Sequence, residues 1–233
     1  MWYFKFIFIF YIGSTFGYLL ELFFRRWAHG SWVNPGALVG PYLPIYGFGL
    51  VALTAIYEIF KDLNVHPIMI ILLMGLSMTL IELIGGLVAL KNNVRLWDYR
   101  NEWGNYKGII CPLFSLIWTL LGAVYYFLIA PHIMDALVWF SKNLTFCYVL
   151  GLFTGFILID VCYSGNVFAK VRKYAKENDI TVKYEKLKMQ IKDLQEKANE
   201  KNSFIFPFKG TKNLRDYIKT YKKQTKKENK KRD

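Results

Sequence analysis

Cysteine and histidine are scarce in this chain, three of each, and neither forms a pattern that chemistry uses. Cys111, Cys147 and Cys162 are odd in number and stand apart, with no C-x-x-C and no Cys/His cluster, so zinc and thiol-redox sites have no basis here. They read as small apolar core residues. His29, His66 and His132 each stand alone at loops or helix ends, as interfacial residues rather than ligands or bases. The phosphate-cradling G-x-x-x-x-G-K-[ST] is missing, which excludes P-loop nucleotide hydrolysis by this chain. G-x-S-x-G and H-E-x-x-H are missing too. No catalytic residue, metal or cofactor is expected. Acidic residues are also few, 17 against 30 Lys and Arg.

What the sequence has in quantity is apolar. Of 233 residues 54% are hydrophobic and 18% aromatic, with a mean hydropathy of +0.22, high for a soluble domain. Five stretches approach or exceed the ~20 residues needed to cross ~30 Å of hydrocarbon: about Trp2 to Phe24, Leu43 to Phe60, Pro67 to Leu90, Ile109 to Ile129 and Leu144 to Tyr163. The first has only Lys5 near its start and no small-x-small cleavage site, so it reads as a retained helix. The fold class is all-α, a polytopic membrane helix bundle of about five transmembrane helices (residues 1–163) with a basic tail (164–233).

Charge orients the bundle. The tail holds 21 Lys or Arg and 9 Asp or Glu, net +12, against 9 and 8 in residues 1–163. Basic loops collect on the cytoplasmic side, which predicts a multi-pass cell-membrane protein with its C-terminus cytoplasmic and its N-terminus outside. Five crossings then put Arg25/Arg26 and the Lys91/Arg95/Arg100/Lys107 loop inside as well.

Within the spans, Gly13, Gly17 and Glu21, then Gly75, Thr79, Glu82 and Gly86, then Ser115, Thr119, Gly122 and Tyr126 form single faces at helical spacing, the pattern of close helix packing. Gly151 and Gly155 repeat it, with Asp160 off that face. An ionised carboxylate at the bilayer centre costs at least ~2.5–3.5 kcal/mol, so intramembrane acids face the interior, pair with a cation or stay protonated. Glu82 is the deepest. Two loops lie on the same predicted side. Residues 34–49, NPGALVGPYLPIYGFG, carry Pro35, Pro41 and Pro44, which fix φ, and Gly36, Gly40 and Gly47, which allow close backbone approach. Irregular backbone at membrane depth survives only when packed on protein or lining a wet cavity. Residues 97–108, WDYRNEWGNYKG, combine Trp97 and Tyr99 as interfacial aromatics with Asp98 and Asn105 as hydrogen-bonding groups, closed by Gly108. These features predict a cytoplasm-facing polar cavity lined by Glu21, Glu82 and Asp160, with Asn34, Tyr46, Trp97, Asp98, Tyr99 and Asn105 contributing from the loops. The alternative is that the acids pair with Arg25, Arg26, Arg95 or Lys107 and fix the bundle.

The Gly-Pro-x-x-Pro-Ile-Tyr-Gly motif at 40–47, followed by Ile81-Glu82-Leu83 and Trp97-Asp98-Tyr99 with Asn105-Tyr-Lys-Gly108, resembles the bacterial integral membrane proteins grouped as putative ABC-transporter type IV, or permease-like, proteins. The resemblance covers roughly residues 8 to 163. It departs at Pro35 and at Ile109 or Ile110, where that family commonly has arginine. It implies a permease-like transport component whose energising ATPase subunit, if there is one, is a separate chain.

In the tail, Ile180, Tyr184, Leu187, Ile191, Leu194 and Ala198 recur at alternating four and three residues, a heptad seam that predicts a helix or short coiled coil over about 180–201. It could dimerise, fold against the bundle or dock a partner. Phe204 to Phe208 reads as an interfacial anchor, and Lys222 to Arg232 suits anionic lipid. No recognition fold supports nucleic acid as a partner. Three functions follow: a transport component with a cavity for a small polar or cationic solute, a structural or regulatory membrane protein recruiting a partner through its tail, and, least supported, a lipid enzyme lacking any nucleophile beside its carboxylates. Five crossings are too few for a typical complete pathway, so a homo-oligomer or hetero-complex is expected.

Overall fold

A computed structural model describes residues 2–30, 32–178, 180–197 and 214–229; Ala198, the segment Phe204 to Phe208 and the end of the basic run lie outside them. In chain order the elements are α1 (Trp2–His29), α2 (Pro44–Phe60), α3 (Pro67–Lys91), β1 (Val94–Arg95), α4 (Pro112–Val124), α5 (Ala130–Lys142), α6 (Phe146–Glu177), β2 (Val182–Lys183), α7 (Tyr184–Lys197) and α8 (Leu214–Asn229).

Proline starts three of these helices, Pro44, Pro67 and Pro112 each lying in the first turn where a missing N–H costs nothing. A fourth, Pro131, would normally end a helix, because its ring clashes with a preceding carbonyl. Here the five residues Tyr125–Ile129 form a π-turn instead, which absorbs the extra width. The fourth stretch therefore does not stop at Ile129: Pro112–Lys142 runs on as one helix of 31 residues, about 46 Å long.

Among the described residues four helices are long and apolar enough to cross a membrane: Trp2–Trp27, Pro67–Lys91, Pro112–Lys142 and Phe146–Glu177. The second apolar stretch, Pro44–Phe60, has 17 residues and is shorter. On α3 the two environments separate by face. Met74, Gly75, Met78, Glu82 and Gly86 are buried, whereas Leu72, Leu76, Leu80 and Ile84 are exposed, the side a bilayer would cover.

The glycine faces do pack. A Cβ on Gly17 would fall within the Tyr46 ring, and one on Gly75 would overlap Thr119; these contacts bring α1 onto α2 and α3 onto α4. Gly151 and Gly155 on α6 differ, with nothing within 4 Å of a Cβ at either.

A second apolar core lies at one end of the bundle. Val94 of β1, Val171 and Ala175 of α6, Val182 of β2, Leu187 and Ile191 of α7 and Ile218 of α8 are fully or almost fully buried together. The strands pair in parallel, Val94 with Val182 and Arg95 with Lys183. The heptad-spaced Tyr184, Leu187 and Ile191, with Ile180 and Leu194 beside them, thus pack on this chain's own α6, α8 and β1. Among the described residues the helix there is α7, Tyr184–Lys197, about 21 Å long; the end of the seam at Ala198 lies outside them. Residue 163 lies inside α6, which passes without interruption from the bundle into this second core.

Candidate functional site

The segment after α1 turns back into the bundle. The Leu43 amide donates to the Ser14 carbonyl at 2.9 Å, and Ser14 lies about 22 Å along the helix axis from the C-terminal end of α1. Residues 32–43 are therefore re-entrant, with much of their polar backbone met by protein. Asn34 organises the first half: its Nδ2 donates to the carbonyls of Leu38 (3.1 Å) and Val39 (3.0 Å), and its Oδ1 accepts from the Gly36 amide (2.9 Å). Asp160 of α6 clamps the second half, accepting from the amides of Val39 (3.0 Å) and Gly40 (2.7 Å), from the Tyr42 hydroxyl, and from Ser164 Oγ (2.6 Å). With Pro35 and Pro41 supplying no N–H, this short stretch has fewer donors to satisfy.

Beyond Pro44 a chain of polar and aromatic groups crosses four helices. Arg25 Nε donates to Glu21 Oε1 and Tyr46 Oη to Glu21 Oε2, each at 2.9 Å. The Tyr46 ring meets Trp118 edge-on with centroids 5.9 Å apart. Trp118 Nε1 donates to Glu82 Oε2 at 3.0 Å, and Tyr99 Oη to Glu82 Oε1 at 2.9 Å. Tyr99 in turn stacks on Phe114 at 4.2 Å. Glu82 is 4% exposed, and both of its oxygens are occupied by neutral donors. Gly17 lets this happen, since any side chain there would displace Tyr46.

The 97–108 loop is held by its own residues. Tyr99 N donates to Gly108 O and Gly108 N to Asn105 Oδ1, both at 2.9 Å. Trp97 Nε1 donates to Ile109 O at 2.8 Å and Asn105 Nδ2 to Glu102 O at 2.9 Å. Gly108 takes φ +65°, the left-handed region in which a side chain is strained. Asp98 points to the tail, pairing with Arg100 Nε at 2.9 Å and with Lys183 Nζ at 2.6 Å. Burial alone would raise its pKa, but the hydrogen bonds from Arg100 and Lys183 outweigh it and hold the carboxyl well below the usual carboxylate range.

Of the residues named from sequence, Glu21, Tyr46, Glu82 and Tyr99 come together in the polar chain. Asn34 and Asp160 belong to a separate cluster around the re-entrant segment, Asn105 and Trp97 brace their own loop, and Asp98 faces the tail. Sequence reasoning missed Trp118, Tyr42, Ser164 and Lys188. An indole N–H in a span needs an acceptor, which was the available signal for Trp118; Ser164, one turn after Asp160, was another.

Among known proteins, the family model described as putative ABC-transporter type IV matches residues 8–165. No curated protein and no solved structure matches. The matched region runs from residue 8 in α1 through α5, both loops and the part of α6 carrying Asp160, and the chain belongs to the putative ABC-transporter type IV family.

Proposed function

We propose that this chain is the permease-like membrane component of a transport assembly, with its tail cytoplasmic, its N-terminus outside and any energising ATPase on a separate subunit. Family membership over residues 8–165 carries this reading. The membrane-length helices fit it, as does the lack of a P-loop motif in the chain. In this reading α2 and the re-entrant segment together make the fifth crossing, and the net +12 tail sets the orientation by the positive-inside tendency. The solute is small and polar or cationic, and Glu82 is its contact, the deepest acid of the bundle, with no cation paired to it among the described residues. Glu82→Gln then abolishes solute binding or flux in reconstituted vesicles while the protein stays folded. Normal flux in that variant would overturn the assignment.

The second reading is structural and regulatory, with the acids fixing the bundle and the tail recruiting a partner. It is favoured by one observation: Glu21, Glu82 and Asp160 each have both oxygens bonded to groups of the protein itself. Cross-linking in native membranes followed by purification of the chain separates the two. Co-purification of a P-loop ATPase supports transport; recovery of itself alone or of other partners supports the second reading. A homo-oligomer or hetero-complex, with the tail held near anionic lipid, belongs to either.

A further inference from the structure

α7 reaches into the re-entrant segment with a single buried cation. Lys188 is 3% exposed, and its Nζ donates to the carbonyls of Asn34 (3.1 Å) and Gly36. The Tyr184 ring lies 4.9 Å from the same nitrogen. One turn of helix away, Glu185 pairs with Arg25 of α1, the arginine whose Nε is bonded to Glu21. Ala37, at the tip of the segment, packs on the α7 core.

These contacts make two shapes mutually conditional. A buried ammonium is costly unless its hydrogen bonds are met, and here the loop carbonyls meet them. Those carbonyls point at Lys188 only because Asn34 and Asp160 have folded the segment back. If the segment straightens, Lys188 loses its acceptors; if α7 leaves, two buried carbonyls lose their donor. We propose that α7 is a latch on the re-entrant segment, so that docking of the tail and the folded-back state of residues 32–43 form and release together, with the Glu21–Arg25 pair carrying the docked state into the bundle. The latch rests on neither functional reading above.

Coupling of this kind is reciprocal, and the test uses both directions. Hydrogen–deuterium exchange is followed on the full chain in lipid nanodiscs. Lys188→Met keeps the methylene packing and removes the donor. It is expected to speed exchange about tenfold in both 184–194 and 34–40, leaving α3 unchanged. Faster exchange in α7 with none in 34–40, or in neither, overturns the latch. Asp160→Asn loosens the segment from the opposite side; the latch requires α7 to exchange faster as well, and an unmoved α7 overturns it. Should Lys188→Met not fold, Glu185→Gln, which weakens the tie to Arg25 at constant volume, carries the same comparison.

Discussion

Trp118 donates its indole N–H to Glu82 Oε2 over 3.0 Å, joining α4 to α3 through a carboxylate. Trp118→Phe keeps the ring contact with Tyr46 and deletes the donor, leaving a buried acceptor unmet at about 1–3 kcal/mol. Glu82→Gln costs less, about 1 kcal/mol, because its oxygen can accept from Trp118 while its amide donates to the Tyr99 hydroxyl. Thermal unfolding of the two single variants and the double variant in nanodiscs checks the order; equal destabilisation by both single variants would contradict it.

Asp160 serves two backbone amides and the Tyr42 hydroxyl at once. Asp160→Asn turns one acceptor into a donor facing donors, and each buried group so orphaned costs about 1–3 kcal/mol. Ser164→Ala removes one donor and leaves the clamp, so its expected cost is about 1 kcal/mol. Limited proteolysis between residues 36 and 42 reports the difference, with cleavage expected in Asp160→Asn alone.

Gly17→Ala forces a Cβ into the Tyr46 ring and is expected to destabilise by about 1–3 kcal/mol through overpacking. Gly151→Ala, facing open space, stays within about 0.5 kcal/mol of the parent. A matched loss of melting temperature in the two variants would show that α6 also has a neighbour on its glycine face.

The tail contacts respond to pH in a stated direction. Asp98 has its pKa lowered in the folded chain, so its tie to Lys183 contributes fully above the ordinary carboxylate value and is lost as pH falls through the depressed one. Lys188 moves the other way: burial first, then the charge of Arg25, lower it to about 7, against the favourable Glu185. The groups facing it are Arg25 from α1, and Tyr184 and Glu185 from α7, while the re-entrant segment offers carbonyls. Undocked, the lysine returns toward its ordinary value of 10.5, so docking is weakest below pH 7 and strengthens as pH rises above it. Exchange in 184–194, corrected for intrinsic rates at pH 6 and pH 8.5, is expected to fall with pH in the parent and to lose that dependence in Lys188→Met.

Apolar length and glycine spacing made the bundle readable, because lipid-facing and protein-facing sides differ at a period of 3.6 residues along α3. Gly13, Gly17 and Gly75 pack where that period placed them. The fourth stretch ends at Ile129 by composition, and nothing in it signals the π-turn at Tyr125–Ile129 that carries the helix on past Pro131. The heptad seam identified which side of α7 is apolar; its mates, Val94, Val171 and Ile218, are scattered over the chain, and a period carries no information about what covers it. The acids stood out in the sequence by their cost in a membrane. Tyr99 was named beside them, but Tyr42 and Trp118 were not, because these neutral donors look like ordinary membrane aromatics until the fold brings them to a carboxylate.

The re-entrant segment also sets an order of assembly. Gly40 precedes Asp160 by 120 residues and Gly36 precedes Lys188 by 152. At roughly 5–20 residues per second of synthesis, its amides and carbonyls wait on the order of ten seconds or more for the side chains that satisfy them. Bare backbone cannot wait in hydrocarbon. The segment must therefore be held in water or in the insertion machinery while α2 and α3 are made, and it folds back only when α6, and then α7, have left the ribosome.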